Sequence, residues 1–193
     1  MRERIATSAP ESPPALPPWL SAALVIAALG GGWVAAAIAL LPGLVAGDVI
    51  LTLLFLAVPF YEEALKPLGL YFVFLRWPRV TLSRLQAAGL AAAGGLSFAV
   101  IESWVSVDGH PEEGSDFVLF RFTAPVAMHV FASFIFGLGL TPAILQWFGR
   151  RGPLPRETRT AYLTAVGLHM FYNLTIILLT AIGVLGYVEE VGS

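Results

Sequence analysis

Glu62, Glu63 and Lys66 lie within "AVPFYEEALKPLGLYFVF", residues 57–74, one of the most apolar regions of a 193-residue chain. Glu102, His129, His169 and the amide Asn173 occupy three further apolar stretches. Carboxylates and imidazoles of this kind make an activated water, either by taking its proton directly or by holding a metal ion that acidifies it. Helical spacing sorts them into faces. Glu62 and Lys66 are i, i+4 and Glu63 and Lys66 are i, i+3, so one ammonium reaches either carboxylate. His169 and Asn173 share a face at i, i+4, as do Phe98 and Glu102, and His129, Ser133 and Gly137 form a polar and then small stripe.

Such groups are costly in an apolar helix. A central Lys or Asp costs about 2.5–3.5 kcal/mol on insertion scales, which puts the Glu62–Glu63–Lys66 stretch at roughly 8–10 kcal/mol. The surrounding bundle must therefore shelter them. Each also has a plainer reading. The two glutamates and the lysine can be a self-neutralised cluster that sets helix register, and a buried His can be a hydrogen-bonded packing residue. Asn173 can bridge helices and Gly137 can permit close approach. Depth raises a difficulty for one shared site. Glu102 is six residues from Asp108, about 9 Å below that flank, whereas Glu62 is fourteen residues from Asp48, about 21 Å down. Tilt, or a break in the second helix, has to reconcile them.

The elements that position these residues follow from composition. The chain is 57% hydrophobic and 12% charged, with a mean hydropathy of +0.78, which identifies an all-α polytopic membrane protein. With no cysteine there is no disulfide framework, thiolate metal site or Cys nucleophile. The 11 Lys and Arg residues are too few and scattered for a nucleic-acid footprint. Residues 1–18, Pro- and Ser-rich, read as a disordered tail. The apolar run that follows is too long for a signal-peptide core and is expected to be retained as a span. A single domain over 19–187 divides into about five membrane-spanning helices, 19–42, 48–75, 85–107, 117–147 and 160–187, with a short tail at 188–193. Pro59 and Pro67 are candidate breaks in the second span, and Pro125 a candidate kink in the fourth. Nine of the eleven basic residues fall in alternate connections, the exceptions being Lys66 and Arg121. That asymmetry puts the N-terminus in the cytoplasm and the C-terminus outside, in a multi-pass protein of the cell membrane. Arg121 is expected to snorkel outward or pair with Asp116, His110 to be a solvated loop residue, and Gly30–Gly32 to serve close packing.

Taken in order, "EEALK" (Glu62, Glu63, Lys66), "FAVIE" (Phe98 to Glu102), "HVFASFIFG" (His129 to Gly137) and "HMFYN" (His169 to Asn173) resemble the motifs of the PrsW family of intramembrane proteases. That family is related to the superfamily that includes the type II CAAX prenyl proteases. The resemblance covers about residues 48–187 and implies a membrane-embedded endopeptidase acting on membrane-anchored proteins, anti-sigma factors among them. The chain departs from the CAAX branch at Lys66, where that branch has Arg at a longer spacing, and at Glu102, where it has His. A prenylated substrate is therefore not implied.

For peptide hydrolysis, a member of the Glu62–Glu63 pair can serve as general base, with Lys66 tuning which of them stays ionised. Asn173, or a His, can stabilise the oxyanion. In a metal version, His129, His169 and one glutamate, Glu102 or a member of the pair, hold zinc. In a metal-free version, Glu and His polarise the water directly. Two other classes compete with the protease: a membrane scaffold or substrate-binding subunit, and a proton or cation carrier. Substrate identity and oligomeric state are not legible in the sequence.

Overall fold

The computed structural model describes residues 17–40, 48–149 and 151–185. The predicted tail at 188–193, all of the predicted tail at 1–18 but its last two residues, and the first connection lie outside them, as do the last residues of the first and fifth predicted spans. Every regular element among the described residues is a helix: α1 Pro18–Leu40, α2 Asp48–Leu65, α3 Leu68–Arg76, α4 Arg84–Asp108, α5 Ser115–Arg121, α6 Ala124–Gly139, α7 Ile144–Phe148 and α8 Arg156–Ala181. Four stretches are long and apolar enough to cross a membrane, Pro18–Leu40, Arg84–Asp108, Ser115–Gly139 and Arg156–Ala181. They overlap the predicted first, third, fourth and fifth spans, the fourth ending at Gly139 instead of 147. Trp33, Trp104, Phe131 and Phe171 stand on their outer surface, more than half exposed, as side chains that face lipid do.

The second predicted span is the interrupted pair α2 and α3, and the interruption falls at Lys66 and Pro67. Proline has no N–H, so the helical bond to the carbonyl four residues back is missing and the helix yields. Within a membrane, the freed carbonyls need partners from the protein itself. The Tyr71 hydroxyl donates to Ala64 O at 3.1 Å, and the Leu70 and Tyr71 amides bond to Pro67 O to start α3. A second tyrosine, Tyr162 of α8, donates to Phe60 O at 2.7 Å and fastens α2 to α8.

Pro125 breaks the fourth span by the same rule. Its missing amide would have bonded to Arg121 O, where α5 stops. The Ser103 hydroxyl of α4 takes over, donating to that carbonyl at 2.6 Å. Two residues after the α6 C-cap, Pro142 prevents that helix from continuing into α7.

α4 is the central helix and packs most extensively on α6 and α1, while α6 packs on α8 and α1 on α3. Small residues allow these approaches. A Cβ on Gly94 would stand 2.8 Å from Lys66 O, and one on Gly95 would meet Ser133 Oγ at 2.3 Å. The Gly94–Gly95 pair thus lets α4 press against the α2–α3 break on one side and α6 on the other.

Candidate functional site

The α2 C-terminus and the break behind it present Glu62, Glu63 and Lys66 to the bundle interior, where all three are buried. Lys66 is fully enclosed, and an ammonium there is tolerated only with partners on every side. Its Nζ donates to Glu63 Oε1, lies 2.6 Å from His129 Nδ1 and 3.9 Å from Glu62 Oε2, and sits 4.9 Å from the centre of the Phe98 ring. The last contact is a cation–π interaction and explains the aromatic side chain one turn before Glu102.

The ammonium also assigns the ring protons. Lysine only donates, so His129 Nδ1 accepts and the proton of the neutral ring sits on Nε2, which lies 2.7 Å from Glu102 Oε2. His169 is set the other way round. Its Nδ1 is 2.9 Å from Glu63 Oε1, a carboxylate that can only accept, so Nδ1 carries the hydrogen. Nε2 then keeps a free lone pair, 3.8 Å from Glu62 Oε2. The two imidazoles stand nearly perpendicular, with ring centres 4.8 Å apart.

Glu62, His129 and His169 each offer one ligand atom, and these atoms lie within 4.8 Å of one another. Two further observations bear on whether the group suits a cation. Glu62 Oε2 and Glu63 Oε2 are buried without a hydrogen-bond partner among the described residues. In formal charge, Glu62, Glu63 and Glu102 face Lys66 and Arg121, three negative against two positive, which leaves one negative charge over. Two imidazoles and a carboxylate form a donor set typical of catalytic zinc centres, and a surplus of unpaired acceptors is what a cation relieves. The residues present fit a metal ion.

A cavity of about 130 Å³ opens over this group, lined among others by Glu62, Glu102, Arg121, His129, Tyr172 and Asn173. All seven residues singled out in the sequence therefore belong to one region. Asn173 lines the cavity, and Glu63 and Lys66 stand behind Glu62 and the histidines. The depth difficulty dissolves because Glu62 and Glu102 line the same space; the acidic flanks used as reference points need not share a plane. The His129–Ser133–Gly137 stripe is buried against α4, where a Cβ on Gly137 would meet Ala88 and Ala91.

Arg121 differs from expectation. It neither reaches outward nor pairs with Asp116, but turns inward, with a terminal guanidinium nitrogen 3.5 Å from Glu102 Oε1. The break before Pro125 and the Ser103 bond to its carbonyl hold it there. Tyr172 is not singled out by sequence reasoning, yet its hydroxyl is buried at the cavity. Its signal was its place in "HMFYN", beside Asn173 and three residues after His169. His110 is an exposed loop residue as expected.

The PrsW family of intramembrane metalloproteases matches residues 17–191. The match covers nearly the whole chain, which belongs to that family and is a membrane-embedded peptidase. Comparison with curated proteins and with solved structures gave no match.

Proposed function

We propose that this PrsW-family peptidase hydrolyses peptide bonds of membrane-anchored proteins at the Glu62–His129–His169 group, with these three residues holding one divalent cation. Zinc is the ion whose ligand preferences the set suits best. The observation that carries the reading is the convergence of one carboxylate and two imidazoles from α2, α6 and α8 within 4.8 Å. When bound, the ion polarises the carbonyl and lowers the pKa of water.

The chain's own residues have distinct tasks in this reading. Glu102 lines the same cavity and accepts the proton of the attacking water, later delivering it to the leaving amine. Glu63 orients His169 through Nδ1, the carboxylate support that ligand histidines commonly receive. Lys66 holds Glu63 in place, and His129 would give its Nε2 to the ion only with its ring proton moved to Nδ1, which exchanges the Lys66 hydrogen bond there for the ligand bond. The Asn173 amide faces the cavity as a donor to the developing oxyanion. Of the two carboxylate choices the sequence left open, the geometry favours Glu62 as ligand. The substrate class suggested by the family resemblance is an anti-sigma-factor-like single-span protein, met in the cell membrane at the end of the bundle that carries the acidic loop.

A metal-free reading is favoured by one observation. His129 Nδ1 is already 2.6 Å from Lys66 Nζ and its Nε2 2.7 Å from Glu102 Oε2, so both ring nitrogens have charged protein groups beside them without an ion. Elemental analysis and turnover of purified, chelator-treated protein separate the two. Loss of the ion with loss of cleavage, both restored by zinc, supports the metal centre; full cleavage with no bound metal sinks it. Glu102→Gln should keep the ion and lose cleavage, whereas Glu62→Gln should lose both.

A further inference from the structure

Two buried donors at the cavity have nothing to bind among the described residues. Arg121 Nε and the Tyr172 hydroxyl have no hydrogen-bond partner, though both side chains line the space over Glu62, Glu102, His129 and His169. An unmade buried hydrogen bond is costly, so a donor kept in that state calls for a ligand or water that completes it. The guanidinium is held but little used. Its backbone carbonyl is bonded by Ser103 at 2.6 Å, while its side-chain ion pair with Glu102 is long at 3.5 Å. Tyr172 comes from α8, so the two donors approach one space from different helices.

We infer that Arg121 and Tyr172 clamp the carbonyl oxygen of the scissile peptide and donate to it more strongly as it takes on charge. The inference rests on the reading of Glu62, His129 and His169 as the hydrolytic centre. In the addition step, the water oxygen bonds to the carbonyl carbon, its proton passes to Glu102, and the π pair moves onto the carbonyl oxygen. That oxyanion receives the Arg121 and Tyr172 hydrogen bonds, beside the Asn173 amide. When the pair returns, the C–N bond breaks and the leaving nitrogen takes the proton from Glu102. A guanidinium fixed at a largely buried cavity stabilises the oxyanion more than the neutral carbonyl, which is the condition for a catalytic contribution.

The test measures kcat and KM in detergent micelles on a synthetic single-span peptide with a fluorophore and quencher flanking its apolar segment. Binding of a phosphonamidate analogue of that peptide is measured alongside. Tyr172→Phe and Arg121→Gln should each lower kcat by about 10²–10³-fold, with KM within about twofold of wild type. Analogue affinity should fall by a similar factor, metal content should stay the same, and Arg121→Lys should recover part of the loss. A kcat within about twofold of wild type in both variants overturns the clamp. So does a rise in KM at constant kcat, which would mark a ground-state anchor. If Arg121→Gln does not fold, Tyr172→Phe, which removes a single oxygen, decides alone. Cleavage that survives Glu62→Gln and His169→Ala removes the underlying site, whereas unaltered turnover in Tyr172→Phe with Glu62→Gln inactive removes the clamp only.

Discussion

Lys66 Nζ stands 2.6 Å from Nδ1 of His129, a residue 63 positions later in the chain. That contact ties the broken second span to the fourth at the level of the carboxylates. It also makes the lysine a structural counter-charge as well as a neighbour of the chemistry, because the same ammonium neutralises Glu63, which is wholly buried.

Removal of that ammonium leaves a buried carboxylate without its partner. Lys66→Met should therefore destabilise the protein by about 3–5 kcal/mol. The double variant Glu63→Gln with Lys66→Met should recover much of that loss, since neither charge remains. Unfolding of both in mixed micelles checks the coupling; equal destabilisation would mean that Lys66 acts through packing instead.

The Ser103 hydroxyl replaces a helical amide that Pro125 lacks. Ser103→Ala leaves the part-buried Arg121 O without that donor, and a loss of about 1 kcal/mol is expected. Turnover should fall as well, because Arg121 hangs from that carbonyl, while metal content stays unchanged. Chemical unfolding together with kcat on the same preparation reads both effects.

Gly95 and Gly89 lie on one helix and meet different surroundings. A methyl at Gly95 would press on Ser133 Oγ at 2.3 Å and His129 O at 2.8 Å, whereas nothing lies within 4 Å of one at Gly89. Gly95→Ala should cost about 1–3 kcal/mol by overpacking and weaken metal binding as α6 shifts. Gly89→Ala, at an exposed position, should be neutral or stabilising by up to about 1 kcal/mol. Thermal midpoints and metal titrations of the pair provide the comparison.

Tyr162 joins α8 to α2 away from the cavity, through Phe60 O at 2.7 Å. Tyr162→Phe should lower stability by about 0.5–1.5 kcal/mol, the net worth of one such bond, with kcat close to wild type. A collapse of turnover comparable to that of Glu62→Gln would show that the α2–α8 register governs the chemistry.

The membrane-embedded helical architecture was legible because it depends on composition and run length. Twenty or so apolar residues in succession have few alternatives in a bilayer. The third span illustrates this: its predicted bounds, 85–107, differ from Arg84–Asp108 by one residue at each end. The fourth was less legible. Hydropathy runs unbroken from 117 to 147, but Pro125 and Pro142 divide that stretch into α5, α6 and α7. The prolines are visible in sequence; whether a proline kinks a helix or divides it depends on who binds the freed carbonyl, and Ser103 is another helix's residue.

Sequence alone determined which side chains were too costly to lie in apolar helices without a purpose. Glu62, Glu63, Lys66, Glu102, His129 and His169 were identifiable on those terms, and spacing showed which of them share a helix face. Only the tertiary structure decided which atoms meet: Lys66 against His129, Glu63 against His169, Arg121 turned inward, and Tyr172 left with a free hydroxyl. The physical reason is range. Insertion cost and helical periodicity act within one segment, whereas these contacts join residues up to 106 positions apart. Their geometry depends on how far glycines let helices approach and where prolines break them.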